Sequence, residues 1–136
     1  MASIHKSYFV DAPADAAWDA IRDFYAVDER VATGFVRACE REEDARVVTF
    51  ANGTSARELL VTLDDERRRL VYAVADSPRL PHHNASFEVQ PEGNGCRITW
   101  VADILPDALA PYIEQQMDLG CAASKETLER HAERAR

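Results

Sequence analysis

Glu58, Tyr72 and His83 are the side chains of this sequence best suited to acid–base work, with Asp76, His82 and Asn84 as further polar candidates. A carboxylate taken out of water has its charged form disfavoured. Beside an imidazole or a phenol it can take or give a proton at a ligand carbonyl. Each candidate also has a plainer explanation. Glu58 on the outer face of its strand would meet water and pair across to an arginine. Tyr72 would be a core ring with its hydroxyl at the rim. His82-His83 sits beside prolines, where a surface turn is the ordinary outcome.

Other chemistries find no support. Adjacent histidines point to opposite sides of a strand and chelate poorly. His5 and His131 are remote, and no HExxH or Cys/His spacing occurs, so no structural metal site is predicted. Without a GxSxG elbow, a P-loop or a dinucleotide fingerprint, no cofactor is expected. Cys39, Cys96 and Cys121 are far apart and odd in number, with no CxxC pair. They read as small buried hydrophobes in a reduced, cytoplasmic protein. The formal charge of −8 disfavours nucleic acid as a partner. No apolar run reaches membrane-span length and no secretory signal precedes the first strand pattern, so no integral membrane association is expected. Arg67-Arg68-Arg69, flanked by Asp64, Asp65 and Glu66, reads as a self-compensating hairpin tip.

The elements that must position these residues follow from periodicity. At 136 residues and 46% apolar, the chain predicts one domain, 1–136, with a proper core. Residues 4–10 read as a strand. Asp11 is a good N-cap and Pro13 suits the first turn of a helix carrying Trp18, Ile21 and Phe24 or Tyr25. A second short helix follows at 27–31, and Thr33-Gly34 breaks it. Strand patterns then recur at 35–41, 46–51, 55–63, 69–75, 83–90 and 96–105, with a strong hairpin turn at Asn52-Gly53. Their short spacing is that of an antiparallel meander. Pro106 stops the last strand, and 107–134 reads as one long helix.

Alternation assigns faces. Ile98, Trp100, Ala102 and Ile104 form the apolar set of the last strand, which should face the helix. Leu70, Tyr72 and Val74 form a similar set, as do Ala85, Phe87 and Val89, with His83 on the same face. The strand at 55–63 is ambiguous: Leu59, Val61 and Leu63 share one face, Ala56, Glu58, Leu60 and Thr62 the other. A one-residue slip exchanges them. On the helix, Leu109, Ile113, Met117, Cys121 and Leu128 make the stripe, with Gly120 and Ser124 beside it. The small residues near 120–124 either seat the helix closely on the sheet or leave room for a ligand.

Three segments carry a resemblance. Phe9-Val10-Asp11-Ala12-Pro13-Ala14-Asp15-Ala16-Ala17-Trp18 with Asp23-Phe24, then Leu63 through Tyr72, then Gly95-Cys96-Arg97-Ile98-Thr99-Trp100 occur in the order of the START-like superfamily. The chain is most similar to its SRPBCC members labelled polyketide cyclase/dehydrase and lipid transport. Many of these carry a Trp at the tip between the small helices. Here that stretch is Tyr25-Ala26-Val27-Asp28-Glu29-Arg30-Val31. The resemblance implies an α+β helix-grip fold: a curved antiparallel sheet of about seven strands wrapped on a long C-terminal helix, with two short helices after the first strand. It also implies a cavity between sheet and helix that takes a small hydrophobic or aromatic molecule. Phe24, Tyr72, Phe87, Trp100, Ile113 and Met117 would line it, with Glu58 and His83 as polar contacts. Two alternatives stay open: a polyketide-type cyclase or dehydratase using cavity Glu, His and Tyr groups, and a non-catalytic interaction or stress-response module. Relatives also form homodimers, which this sequence does not decide.

Overall fold

The computed structural model describes residues 2–135. Strand β1 (Ala2–Val10) leads into helix α1 (Ala14–Arg22), a single 3-10 turn at Phe24–Ala26 and the short helix α2 (Val27–Arg30). Six strands follow: β2 (Val36–Glu42), β3 (Ala45–Phe50), β4 (Ser55–Asp64), β5 (Arg69–Ala75), β6 (His82–Glu92) and β7 (Gly95–Leu105). A 3-10 turn at Asp107–Leu109 opens α3 (Ala110–Ala135).

The sequence expects the long helix to start at 107. Its first turn is instead 3-10, ending in the hydrogen bond from the Leu109 amide to the Pro106 carbonyl. The expected Asp11 cap is also corrected. Pro13 itself occupies the cap position of α1, and no side chain caps that end. The Asp11 backbone amide instead donates to Glu129 on α3, tying the chain to the far helix before α1 begins.

All seven strands form one antiparallel sheet in the order β1-β7-β6-β5-β4-β3-β2. Every neighbour from β2 to β7 is a hairpin partner, and β1 adds to β7. The chain must therefore pass from one sheet edge to the other between β1 and β2. Helices α1 and α2 make that passage, α1 against β6 and β7 and α2 against β2. This is the helix-grip arrangement: a curved sheet closed over by a single long helix.

The core lies between sheet and helices. Val10, Cys96, Ile98, Ala102 and Ile104 are completely buried, as alternation on β1 and β7 requires. The ambiguity on β4 is resolved by a bulge. Register against β5 shifts between Leu60 and Thr62, so the two halves of the strand obey opposite alternation. Ala56 and Glu58 face inward before the bulge. Val61 is thrown outward at 57% exposure, and Leu63 packs against the core after it.

Candidate functional site

A pocket of about 180 Å³ lies between the concave face of the sheet and the first half of α3. Its floor is an aromatic ladder. Phe87 and Trp100 are direct cross-strand partners on β6 and β7, and their rings stack at 4.8 Å and 18°. Tyr72 on β5 adds a third ring, 6.4 Å from Phe87 and within 24° of parallel. Such ladders follow from placing inward positions of adjacent strands side by side. Ile113, Met117 and Gly120 of α3 form the roof, and Val36 and Val48 close the side.

Gly120 answers the question of the small residues on the helix. A Cβ there would lie 2.9 Å from Trp100 Cζ3 and 3.2 Å from Phe35 Cε2. The glycine therefore lets α3 come down onto the indole, while Met117 and Ser124, one turn away on either side, border the open volume. Close approach and pocket coexist within a single stretch of helix.

At one side of the pocket sits a buried ion pair. Arg46 Nε donates to Glu58 Oε1 at 2.8 Å, and both residues are 6% exposed. They are cross-strand partners on β3 and β4. Arg46 Nη1 also donates to the Phe24 carbonyl at 2.8 Å. The guanidinium lies 3.9 Å above the Phe24 ring and 5.3 Å from the Tyr72 ring. A buried charge needs this degree of pairing to be tolerated. The desolvation expected for Glu58 is thus met by Arg46, which no sequence motif marks. Half of the signal was there: Arg46 alternates with the inward Val48, but a two-residue turn at Asn52-Gly53 would set it opposite Leu59, and it is a three-residue loop, 51–53, that pairs it with Glu58.

His83 is the opposite case. The reading as a surface turn is overturned: β6 begins at His82, and alternation points His83 inward. Both His83 ring nitrogens are buried without a hydrogen-bond partner among the described residues. Burial pushes its pKa down to about 4, with the neighbouring His82 adding to the effect, so the imidazole is neutral at pH 7. Its ring lies 6.3 Å from that of Tyr72. Burial, and then the Glu58 charge, raise the Tyr72 hydroxyl well above its ordinary value, against smaller opposing effects of Arg46 and Trp100. The Trp100 Nε1–H lies near enough to exert that effect, but outside hydrogen-bonding geometry, and has no partner.

The pocket thus brings together Glu58, Tyr72, His83, Phe87, Trp100, Ile113 and Met117. Phe24 is not part of the lining: it is buried beneath Arg46 and supports the ion pair from behind. Asp76 and the edge of β6 at His82 and Asn84 lie outside it, Asp76 pairing with Arg57. At the rim, Asn52 Nδ2 of the β3–β4 hairpin donates to the Tyr112 hydroxyl at 3.1 Å, joining the loop to α3. The arrangement offers an apolar slot, one mutually neutralised ion pair, a neutral imidazole and a protonated phenol. Among the described residues, no helix is long and apolar enough to cross a membrane.

The profile of the family described as polyketide cyclase / dehydrase and lipid transport matches residues 1–133. A search of curated proteins finds no match. Solved structures do resemble the fold. A Thermobifida fusca protein solved by NMR is 29% identical, with TM-score 0.78, covering 98% of this chain and 95% of that one. A START superfamily protein from Mycobacterium smegmatis is 12% identical, with TM-score 0.72 over 98% and 99% of the two chains. A norcoclaurine synthase point mutant from Thalictrum flavum, in complex with a transition-state analogue, is 17% identical, with TM-score 0.70 over 96% and 95%. The last two likenesses concern the fold alone.

Proposed function

Since the chain belongs to the polyketide cyclase / dehydrase and lipid transport family, we propose that it binds a small hydrophobic or aromatic molecule in the pocket between the sheet and α3. The observation that carries this reading is the aromatic floor of Tyr72, Phe87 and Trp100 beneath an open apolar volume. Few convergent polar groups in a mainly apolar concavity is the usual form of a small-molecule site.

Size narrows the class. A dry apolar cavity of about 150 Å³ accepts a benzene-sized guest. At about 180 Å³ this pocket fits one ring or two fused rings, and a long acyl chain or an extended polyketide would need it to widen. Stacking against the ladder adds a geometric preference for flat molecules.

The test is titration with β-methylnaphthalene, followed by backbone and indole N–H shifts in NMR. Shifts should concentrate on β5, β6, β7 and the first half of α3, and the Trp100 indole should move while that of Trp18 stays. Ile113→Trp, which fills the roof, should abolish them. A protein whose spectrum is unchanged up to the solubility limit of the probe would sink the reading.

A catalytic reading of the cyclase or dehydratase type has one observation behind it: a neutral imidazole and a protonated phenol face the same volume with their rings 6.3 Å apart. In it His83 accepts a proton from the ligand and Tyr72 donates to its carbonyl. Glu58 takes no part, because Arg46 already holds its carboxylate. Loss of turnover in both His83→Leu and Tyr72→Phe, with binding kept, is the outcome that would favour it.

A further inference from the structure

Three hydrogen-bonding atoms are buried without partners among the described residues: His83 Nδ1, His83 Nε2 and Trp100 Nε1. All belong to side chains that line the same pocket. Buried polar atoms of folded proteins are nearly always satisfied, so an orphaned set on side chains that border one cavity points to a missing partner. Elsewhere in the core the chain supplies its own partners, as where Tyr8 donates to Ser124 at 3.0 Å.

We propose that His83 and Trp100 are the specificity-determining residues of this pocket, selecting an uncharged aromatic molecule with hydroxyl or carbonyl oxygen at its edge and rejecting carboxylates. The inference rests on the binding reading above and sharpens it. The Trp100 N–H can only donate, so it calls for an oxygen acceptor. A neutral imidazole has one donor and one acceptor nitrogen, so it serves a hydroxyl from either side and a carbonyl through its N–H. Charge is excluded by the rest of the lining. Among the described residues, Arg46 and Glu58 are the only formally charged ones in it, and they are bound to each other at 2.8 Å. A carboxylate ligand would put a second negative charge beside the buried Glu58, with the single Arg46 guanidinium to serve both. Fatty acids are therefore poor candidates despite the apolar walls.

Three probes of one shape separate the possibilities: β-methylnaphthalene, β-naphthol and β-naphthoate. Transfer from water to an apolar slot would by itself rank the methyl compound above the phenol. The inference expects the reverse in the wild-type protein, with β-naphthol tighter by about tenfold and β-naphthoate weakest. His83→Leu should remove the advantage of the phenol and leave β-methylnaphthalene as tight or tighter. The imidazole ¹⁵N resonances of wild-type His83 should move on addition of β-naphthol and stay with β-methylnaphthalene, a readout that does not depend on the variant folding. Equal or tighter binding of the methyl compound to the wild type overturns the inference while leaving the pocket a binding site. So does β-naphthoate binding tightest. If none of the three binds, the binding reading falls and this inference with it.

Discussion

From Ser124 to Ala132, α3 meets β1 and the segment before β2 through groups that the protein itself completes. Tyr8 donates to Ser124, the Thr33 amide donates to Thr127 Oγ1 at 3.1 Å, and Lys125 Nζ donates to the Phe9 carbonyl at 2.8 Å. Leu128 and Thr127 are almost wholly buried between them. From Ile113 to Met117 the same helix faces β5, β6 and β7 across open volume, in a pocket where His83 and Trp100 carry buried polar atoms with no partner among the described residues. The helix and the sheet are continuous through both regions. One half is a finished interior. The other has the apolar walls of an interior but leaves three of its buried polar atoms without a partner among the described residues.

The comparison breaks first at the ion pair. Arg46→Met leaves Glu58 buried with no counter-charge and should cost about 3–5 kcal/mol in urea unfolding. That is a large share of the stability of a domain this size. Arg46→Met combined with Glu58→Leu should recover most of the loss, because no buried charge remains. A single variant that unfolds like the wild type would mean that the pair does not hold the pocket half together.

Acid should separate the halves next. The pKa of His83 is about 4 in the folded protein against 6.5 for the free side chain. The unfolded chain therefore binds the extra proton first, and stability is fully present above pH 6.5 and lost as pH falls toward 4. The loss attributable to His83 is of the order of 3 kcal/mol by pH 4. His83→Leu should flatten that part of the stability profile. His131, near the end of α3, is also lowered, first by partial burial and then by Arg130, Arg134 and Arg30. A parallel His131→Gln variant isolates its share. If the pH profile follows His131 and ignores His83, the pocket imidazole is not desolvated as described.

The smallest effect sharpens the contrast between partnered and orphaned groups. Tyr8→Phe removes a satisfied hydrogen bond in the finished half and should cost about 1 kcal/mol at pH 7. His83→Leu, in the unfinished half, removes atoms that bond to nothing and should be neutral or stabilising at the same pH. Equal costs for the two would show that His83 has a partner in solution.

Much of this was legible in the residues. Period-two alternation put Tyr72, Phe87, Trp100 and His83 on the inner face, because each strand carries its own face assignment locally. Ile113 and Met117 were legible from helical spacing in the same way. Glu58 was only half legible: its face was ambiguous because the bulge between Leu60 and Thr62 splits the strand into two alternation phases. Arg46 was not legible as an inward residue, because an arginine in a strand ordinarily faces water. Phe24 has the apolar character expected of a lining residue, but Arg46 lies over its ring and it does not line the pocket.

By itself the sequence determined the order of elements, the antiparallel meander and the inward face of most strands, since these depend on turns and periodicities that span a few residues. The tertiary structure alone decided which inward polar groups find partners. Gly120 against Trp100, Tyr8 against Ser124 and Arg46 beneath Tyr72 join segments far apart in the chain, and no local pattern encodes whether such groups meet. Hydrogen bonding is short-ranged and directional, so a shift of about an ångström separates a completed core from an open site. That shift is set by how closely α3 can approach the sheet.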